Sequence, residues 1–120
     1  MELRLYDRAD APEILRLWNT AGTAAGYAPL NADTLDALLL AHPAFCGEST
    51  FVLEEGGAVR GFAAGCTGDT LAQGAVRGYV SCVLLDSACD TPENTAALLG
   101  AVEDSFRAGG KSAAAVTFFN

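Results

Sequence analysis

The groups best placed to do chemistry lie after the apolar run Gly78-Tyr-Val-Ser-Cys-Val-Leu-Leu85. A polar stretch from Asp86 to Pro92 follows, then an amphipathic segment from Glu93 to Ala108 and a second β-like run from Ser112 to Phe119. Strand, loop, helix and returning strand make a βαβ unit. The open end of such a unit exposes helix N-terminal amides that can hold a phosphate-bearing ligand. This loop has no glycine to bring its backbone close to an anion. Pro92 removes an N–H donor. Asp90 and Glu93 add carboxylates, and two like charges ~4–5 Å apart at a protein surface cost on the order of kcal/mol. Asp90 or Thr91 ahead of Pro92-Glu93 also supplies an N-cap with an acidic first turn. The pattern predicts a helix whose N-terminus is satisfied by its own chain.

Other reactive side chains are scattered. Cys46, Cys66, Cys82 and Cys89 form no CxxC pair and have no ligand-like spacing to the single histidine, His42, so neither a metal site nor a disulfide framework is expected. Cys66 and Cys82 fall inside strand-like segments, where a thiol behaves as a small hydrophobe. Cys89 sits in the βα loop, a place where a side chain can reach solvent, and Asp86, Asp90 and Glu93 nearby would disfavour its thiolate. Ser81 and Cys82 are expected to alternate across their strand, so that only one faces a cleft. Glu54 and Glu55 flank a turn and read as solvated. His42 precedes a proline at a helix end and reads as a helix C-terminal or loop residue. No residue is assigned a catalytic role.

These groups need elements to position them. Leu3 and Leu5 alternate with Arg4 and Tyr6, the period of a short strand. Asp10 before Ala11-Pro12-Glu13 reads as an N-cap with proline in the first turn. Ile14, Leu15, Leu17 and Trp18 give the helical stripe, and Gly22 is expected to end it. Thr23 to Leu30 is a loop able to line a cleft or simply connect. Asn31 or Asp33 caps a second helix with Leu35, Leu38 and Leu39 on one face, closed by His42-Pro43. Thr50 to Glu54 and Ala58 to Cys66 are strands joined by Glu55-Gly56-Gly57, a hairpin signal. Thr67 to Val76 reads as a second turn.

Composition narrows the function classes. The chain has 120 residues, over half of them hydrophobic and 18% charged, which fits one domain with a core and excludes disorder. Fifteen acidic and seven basic residues give a net charge of −8, which argues against nucleic-acid binding. No apolar run reaches membrane-spanning length, and Met1 to Arg8 lacks a signal-peptide pattern. The expected setting is cytoplasmic.

The order strand, helix, helix, strand, strand, strand, helix, strand (β-α-α-β-β-β-α-β) is that of an α/β or α+β layer fold with a mixed sheet. It resembles the GNAT superfamily of N-acetyltransferases. The resemblance rests on Leu3-Arg-Leu-Tyr-Asp-Arg-Ala-Asp10 leading into Ile14-Leu-Arg-Leu-Trp18, and on Phe51-Val-Leu-Glu-Glu-Gly-Gly-Ala-Val-Arg-Gly-Phe-Ala-Ala-Gly65. It is completed by Tyr79-Val-Ser-Cys-Val-Leu-Leu85, the helix Thr95 to Ala108, and Gly109-Gly110 before Ala113 to Phe118. No single motif is sharp; the ordered set spans the chain.

The resemblance implies an acetyl-CoA site and transfer of an acyl group to an amine, on a small molecule or a peptide. It implies that Val83, Leu84 and Leu85 flank the pantetheine arm. The pyrophosphate would then meet the loop at Asp90, Thr91, Glu93, Asn94 and Thr95, where the family carries Arg/Gln-x-x-Gly-x-Gly/Ala. Some members place a glutamate base near the start of the fourth strand, where this chain has Tyr79 or Val80. Tyr27 falls where the family can touch its acceptor, though aromatic packing serves as well. Family members continue with a further helix and two strands, so the chain reads as a single domain, residues 1–120, lacking those elements. Phe118 and Phe119 on a terminal strand suggest cover by a second copy or a further domain. The alternative is a non-catalytic regulatory or dimerisation module that has lost the cofactor.

Overall fold

The computed structural model describes residues 1–70 and 75–109. Four strands, β1 (Glu2–Leu5), β2 (Phe51–Glu55), β3 (Ala58–Thr70) and β4 (Ala75–Leu85), form an antiparallel sheet in chain order. Helix α1 (Ala11–Leu17) and helix α2 (Ala32–Leu35), each prolonged by a π-helical turn, cover one face, and α3 (Pro92–Ala108) covers the other. The strand expected from Ser112 to Phe119, its parallel pairing, and Phe118 and Phe119 lie outside the described residues.

Each face has its own core. Ile14, Leu17, Leu35 and Leu40 pack on Val52, Val59, Phe62 and Leu84 on the α1/α2 side. On the α3 side Leu98, Val102 and Phe106, spaced four apart, meet Leu53, Ala63 and Val80. Gly78 admits that helix, because a Cβ there would sit 2.4 Å from the Phe106 ring.

Several elements depart from the sequence reading. The stretch Thr67 to Val76, expected as a turn, is mostly strand: β3 runs on to Thr70 and β4 begins at Ala75. Ladder hydrogen bonds with a neighbour outweigh the weak β preference of glycine and polar residues. Gly22 does not stop the first helix but lies buried inside its π turn, Trp18–Gly22, 3.2 Å from Tyr27 as a Cβ would be placed. The stop comes at Gly26, whose φ of +99° suits glycine. In the second helix Asn31 is the cap, accepting from the Thr34 N–H at 2.9 Å. Its π turn, Asp36–Leu40, sets Leu40 rather than Leu38 beside Leu35 in the core and leaves Leu38 66% exposed. The hairpin at Gly56-Gly57 is as expected, with φ of +59° and +83°, the left-handed pair a type I′ turn requires.

On β1 the alternation runs with Leu3 and Leu5 outward, 40% and 51% exposed, and Tyr6 packed on Phe45. Asp10 makes no cap bond to α1. Its carboxylate instead accepts two bonds from the Arg4 guanidinium at 2.8 Å and one from the Asp7 N–H at 2.9 Å. Arg4 also reaches Glu54 on the neighbouring strand. The Arg4 bonds hold the Asp10 carboxyl below its ordinary value despite burial. A carboxylate depressed on folding stabilises above its unfolded pKa and loses that contribution as pH falls through the lower folded value. Asp10→Asn should therefore cost about 2 kcal/mol at pH 7. In urea denaturation followed against pH, the gap to the parent should close below about pH 4.

Candidate functional site

A cleft of about 250 Å³ opens at the carboxyl end of β4, where Val83, Leu84 and Leu85 meet Ala21, Ala25, Asp90 and Thr95. Three elements converge there: the last turn of the first helix, the end of β4 and the start of α3. Five of the eight residues singled out for binding, Val83, Leu84, Leu85, Asp90 and Thr95, thus come together. Thr91 and Asn94 serve the loop itself, and Glu93 is exposed and outside the lining. Ala21 and Ala25 were not foreseen. Their signal is two small residues four apart on the helix, which leave space beside the strand end.

The loop is held by its own bonds. Thr91 Oγ1 accepts from the Asn94 N–H at 3.2 Å, and the Thr95 N–H donates to the Thr91 carbonyl at 3.1 Å. Asn94 Nδ2 and the Thr91 N–H both donate to the Cys89 carbonyl, at 2.8 and 2.9 Å. With Pro92 lacking an N–H, Glu93 is the first-turn amide left unengaged among the described residues. Thr91→Ala removes the cap and should cost about 1 kcal/mol, a fall of about 4–8 °C in Tm by calorimetry.

The upstream end of the loop is tied to β3. Arg60 has no partner across β2, since Leu53 pairs Gly61 and Glu54 pairs Val59. Its guanidinium reaches Asp86 at 2.9 Å, and its carbonyl accepts the Asp86 N–H at 2.8 Å. The Arg60 bond lowers the Asp86 carboxyl below its usual range. Asp86 in turn accepts from the Ala88 N–H and starts the short turn Ser87–Cys89. Cys89, a loop residue free by sequence to reach solvent, is buried in that turn.

The middle of β4 carries an irregularity. Ala64 pairs Cys82 and Gly65 pairs Val80, so Ser81 has no partner on β3. An extra residue breaks the period-two alternation. Val80 joins the α3 core, while Cys82 and Ser81 both reach the α1/α2 side. The expected alternation of Ser81 and Cys82 across the strand is corrected, and it is Ser81 that lines a cavity on this side. The Ser81 hydroxyl is buried without a nitrogen or oxygen partner, beside the Cys66 and Cys82 thiols. Burial pushes Cys82 up to about 12, so this thiol stays neutral and is no nucleophile. Cys46 and Cys66 are buried as well, and the described residues contain no cluster of three metal-ligating side chains.

Tyr27 stacks on Trp18 with centroids 4.9 Å apart and packs over Gly22. His42 Nδ1 accepts the Ala44 N–H at 3.1 Å in the loop after α2. Tyr79 lies opposite Cys66 in the β3–β4 ladder. No helix among the described residues is long and apolar enough to cross a membrane.

Neither a family model nor a curated protein matches the chain. Solved structures do. A ribosomal-protein-alanine N-acetyltransferase from Brucella melitensis superposes with a TM-score of 0.74 at 17% identity, covering 100% of this chain and 80% of its own. An aminoglycoside acetyltransferase from an uncultured soil metagenomic sample gives 0.73 at 14%, covering 99% and 76%. A GNAT family acetyltransferase from Staphylococcus aureus gives 0.67 at 18%, covering 99% and 85%. The chain has the GNAT acetyltransferase fold.

Within that fold, the described lining of the cleft is mostly apolar, with Val83, Leu84 and Leu85 facing Ala21 and Ala25, and it carries the Asp90 carboxylate and no cation among the described residues.

Proposed function

We propose that this chain is an acyl-CoA-dependent N-acyltransferase that holds its cofactor by the arm more than by the diphosphate. The observation that carries this reading is the cleft in which Val83 to Leu85 meet the start of α3. Bound there, the thioester would supply the acyl group. The chain's own part is positional: the β4 edge aligns the arm, and Leu84 with the two alanines excludes water from it. No side chain at the cleft is assigned as a base, so an amine that arrives neutral is the suitable acceptor.

The self-capped loop and the Asp90 carboxylate favour a second reading, a GNAT-like module without cofactor. Titration calorimetry with CoA and acetyl-CoA separates the two. The acyltransferase reading expects saturable binding at micromolar to submillimolar concentration; no heat at millimolar cofactor favours the module.

The loop yields a sharper test. Asp90→Arg combined with Pro92→Gly and Glu93→Gly removes two carboxylates, restores a donor and adds a cation. CoA affinity should rise at least about tenfold, equivalent to ~1.4 kcal/mol. Unchanged affinity would mean that the diphosphate does not lie against this loop.

A further inference from the structure

Among the described residues β1 is the sheet edge opposite β4, and so lies away from the cleft. Four large apolar side chains stand exposed there and elsewhere in the described chain: Met1, Leu3, Leu5 and Leu38. The first three alternate with Glu2 and Arg4, which puts them on one face of a single strand end. Leu3 and Leu5 pair with Leu53 and Phe51, which belong to the α3 core, and residues opposite each other in a ladder share a face. Helix α3 packs on β2, β3 and β4, and the apolar stripe extends past it.

The backbone of this strand is open as well. The Tyr6 N–H donates to the Thr50 carbonyl at 2.8 Å, so Tyr6, Arg4 and Glu2 turn their backbone groups toward β2. Leu3 and Leu5 turn theirs away from the sheet. The Leu5 carbonyl takes a bond from Arg4 Nη1 at 3.0 Å; the Leu3 amide and carbonyl and the Leu5 amide face outward without a strand beside them among the described residues. Edge strands are commonly guarded by proline, a bulge or a charge. Here the cation, Arg4, is drawn aside to Asp10 and Glu54, and the edge is left unguarded.

The order of residues says what fits this edge. Met1-Glu-Leu-Arg-Leu5 reads apolar, acid, apolar, base, apolar, a pattern complementary to its own reverse. Laid antiparallel on a second copy with Leu3 opposite Leu3, it sets Glu2 against Arg4 and Met1 against Leu5. Glu2 has no ion pair among the described residues, and its neighbour on β2 is another carboxylate, Glu54. Centring the pair on Glu2 or Arg4 would set like charges face to face, which destabilises. Centring it on Leu5 would set Leu3 against Asp7. The same register lets each Leu3 amide donate to the partner's Leu3 carbonyl, since both point outward. We infer that two copies of this chain pair through β1, antiparallel about a twofold axis at Leu3, so that one sheet runs through the dimer. The seam leaves both clefts open, and it stands whether or not the chain binds acyl-CoA.

Sedimentation velocity on the full chain, from about 5 μM to 1 mM, should show a reversible monomer–dimer equilibrium. For so narrow a seam its dissociation constant should be on the order of 10–100 μM. Leu3→Lys sets two ammonium groups face to face and should weaken the dimer at least about tenfold. Leu38→Lys, at the other exposed leucine, should leave it unchanged. Leu3→Cys should form a disulfide-linked dimer under mild oxidation, because Cα atoms in such a pair stand ~5.5 Å apart. Leu5→Cys, as exposed but opposite Met1, should not, and the native cysteines are buried. If Leu3→Lys does not fold, the smaller change to cysteine decides the case. A monomer throughout that range overturns the inference. So does a dimer that ignores Leu3→Lys, one lost equally with Leu38→Lys, or crosslinking as ready at Leu5 as at Leu3.

Discussion

The β3–β4 ladder carries one residue too many on its β4 side, and the face to which each β4 side chain turns depends on that. An antiparallel pair without interruption would keep Val80, Cys82 and Leu84 on one face. With Ser81 unpaired, Val80 turns to the α3 core while Cys82 and Leu84 fill the α1/α2 core. The same step brings the Ser81 hydroxyl to the α1/α2 side and leaves it buried without a nitrogen or oxygen partner. A sheet tolerates such a fault where it re-aims side chains. Here it lies two residues before Val83, where the cleft begins.

A similar fault at Arg60 fixes the far end of the site. Freed from the β2 ladder, Arg60 holds Asp86 by side chain and backbone together. The turn after β4 therefore leaves the strand at a fixed angle and delivers Thr91 as the cap of α3. Two ladder irregularities thus set both ends of the segment Ser81 to Thr95. The consequence for charge is plain: the helix N-terminus is engaged by Thr91, and the described lining of the cleft beside it carries a carboxylate and no cation. Any anion placed there gains little from the helix dipole beyond one amide.

Much of the framework was legible in the residues. Gly56-Gly57 dictated its hairpin because both positions need positive φ. The spacing of Leu98, Val102 and Phe106 fixed the buried face of α3, and Thr91-Pro92-Glu93 announced a self-capped helix. Less legible were features that depend on neighbours distant in sequence. The stretch 67–70 became strand only because β4 lies beside it. Leu38 and Leu40 exchanged roles because a π-helical turn shifts the period from four residues to five. Cys89 is buried in the turn whose first residue, Asp86, is tied to Arg60 on β3.

The sequence by itself determined the order of elements, the GNAT-like architecture they build and the acidic, glycine-free loop, since periodicity, caps and turns act over a few residues. Tertiary structure alone decided that Ser81 and Cys82 both reach the α1/α2 side and that Ala21 and Ala25 line the cleft. Register between strands is set by the packing of whole faces, and a one-residue slip leaves no mark in the local pattern.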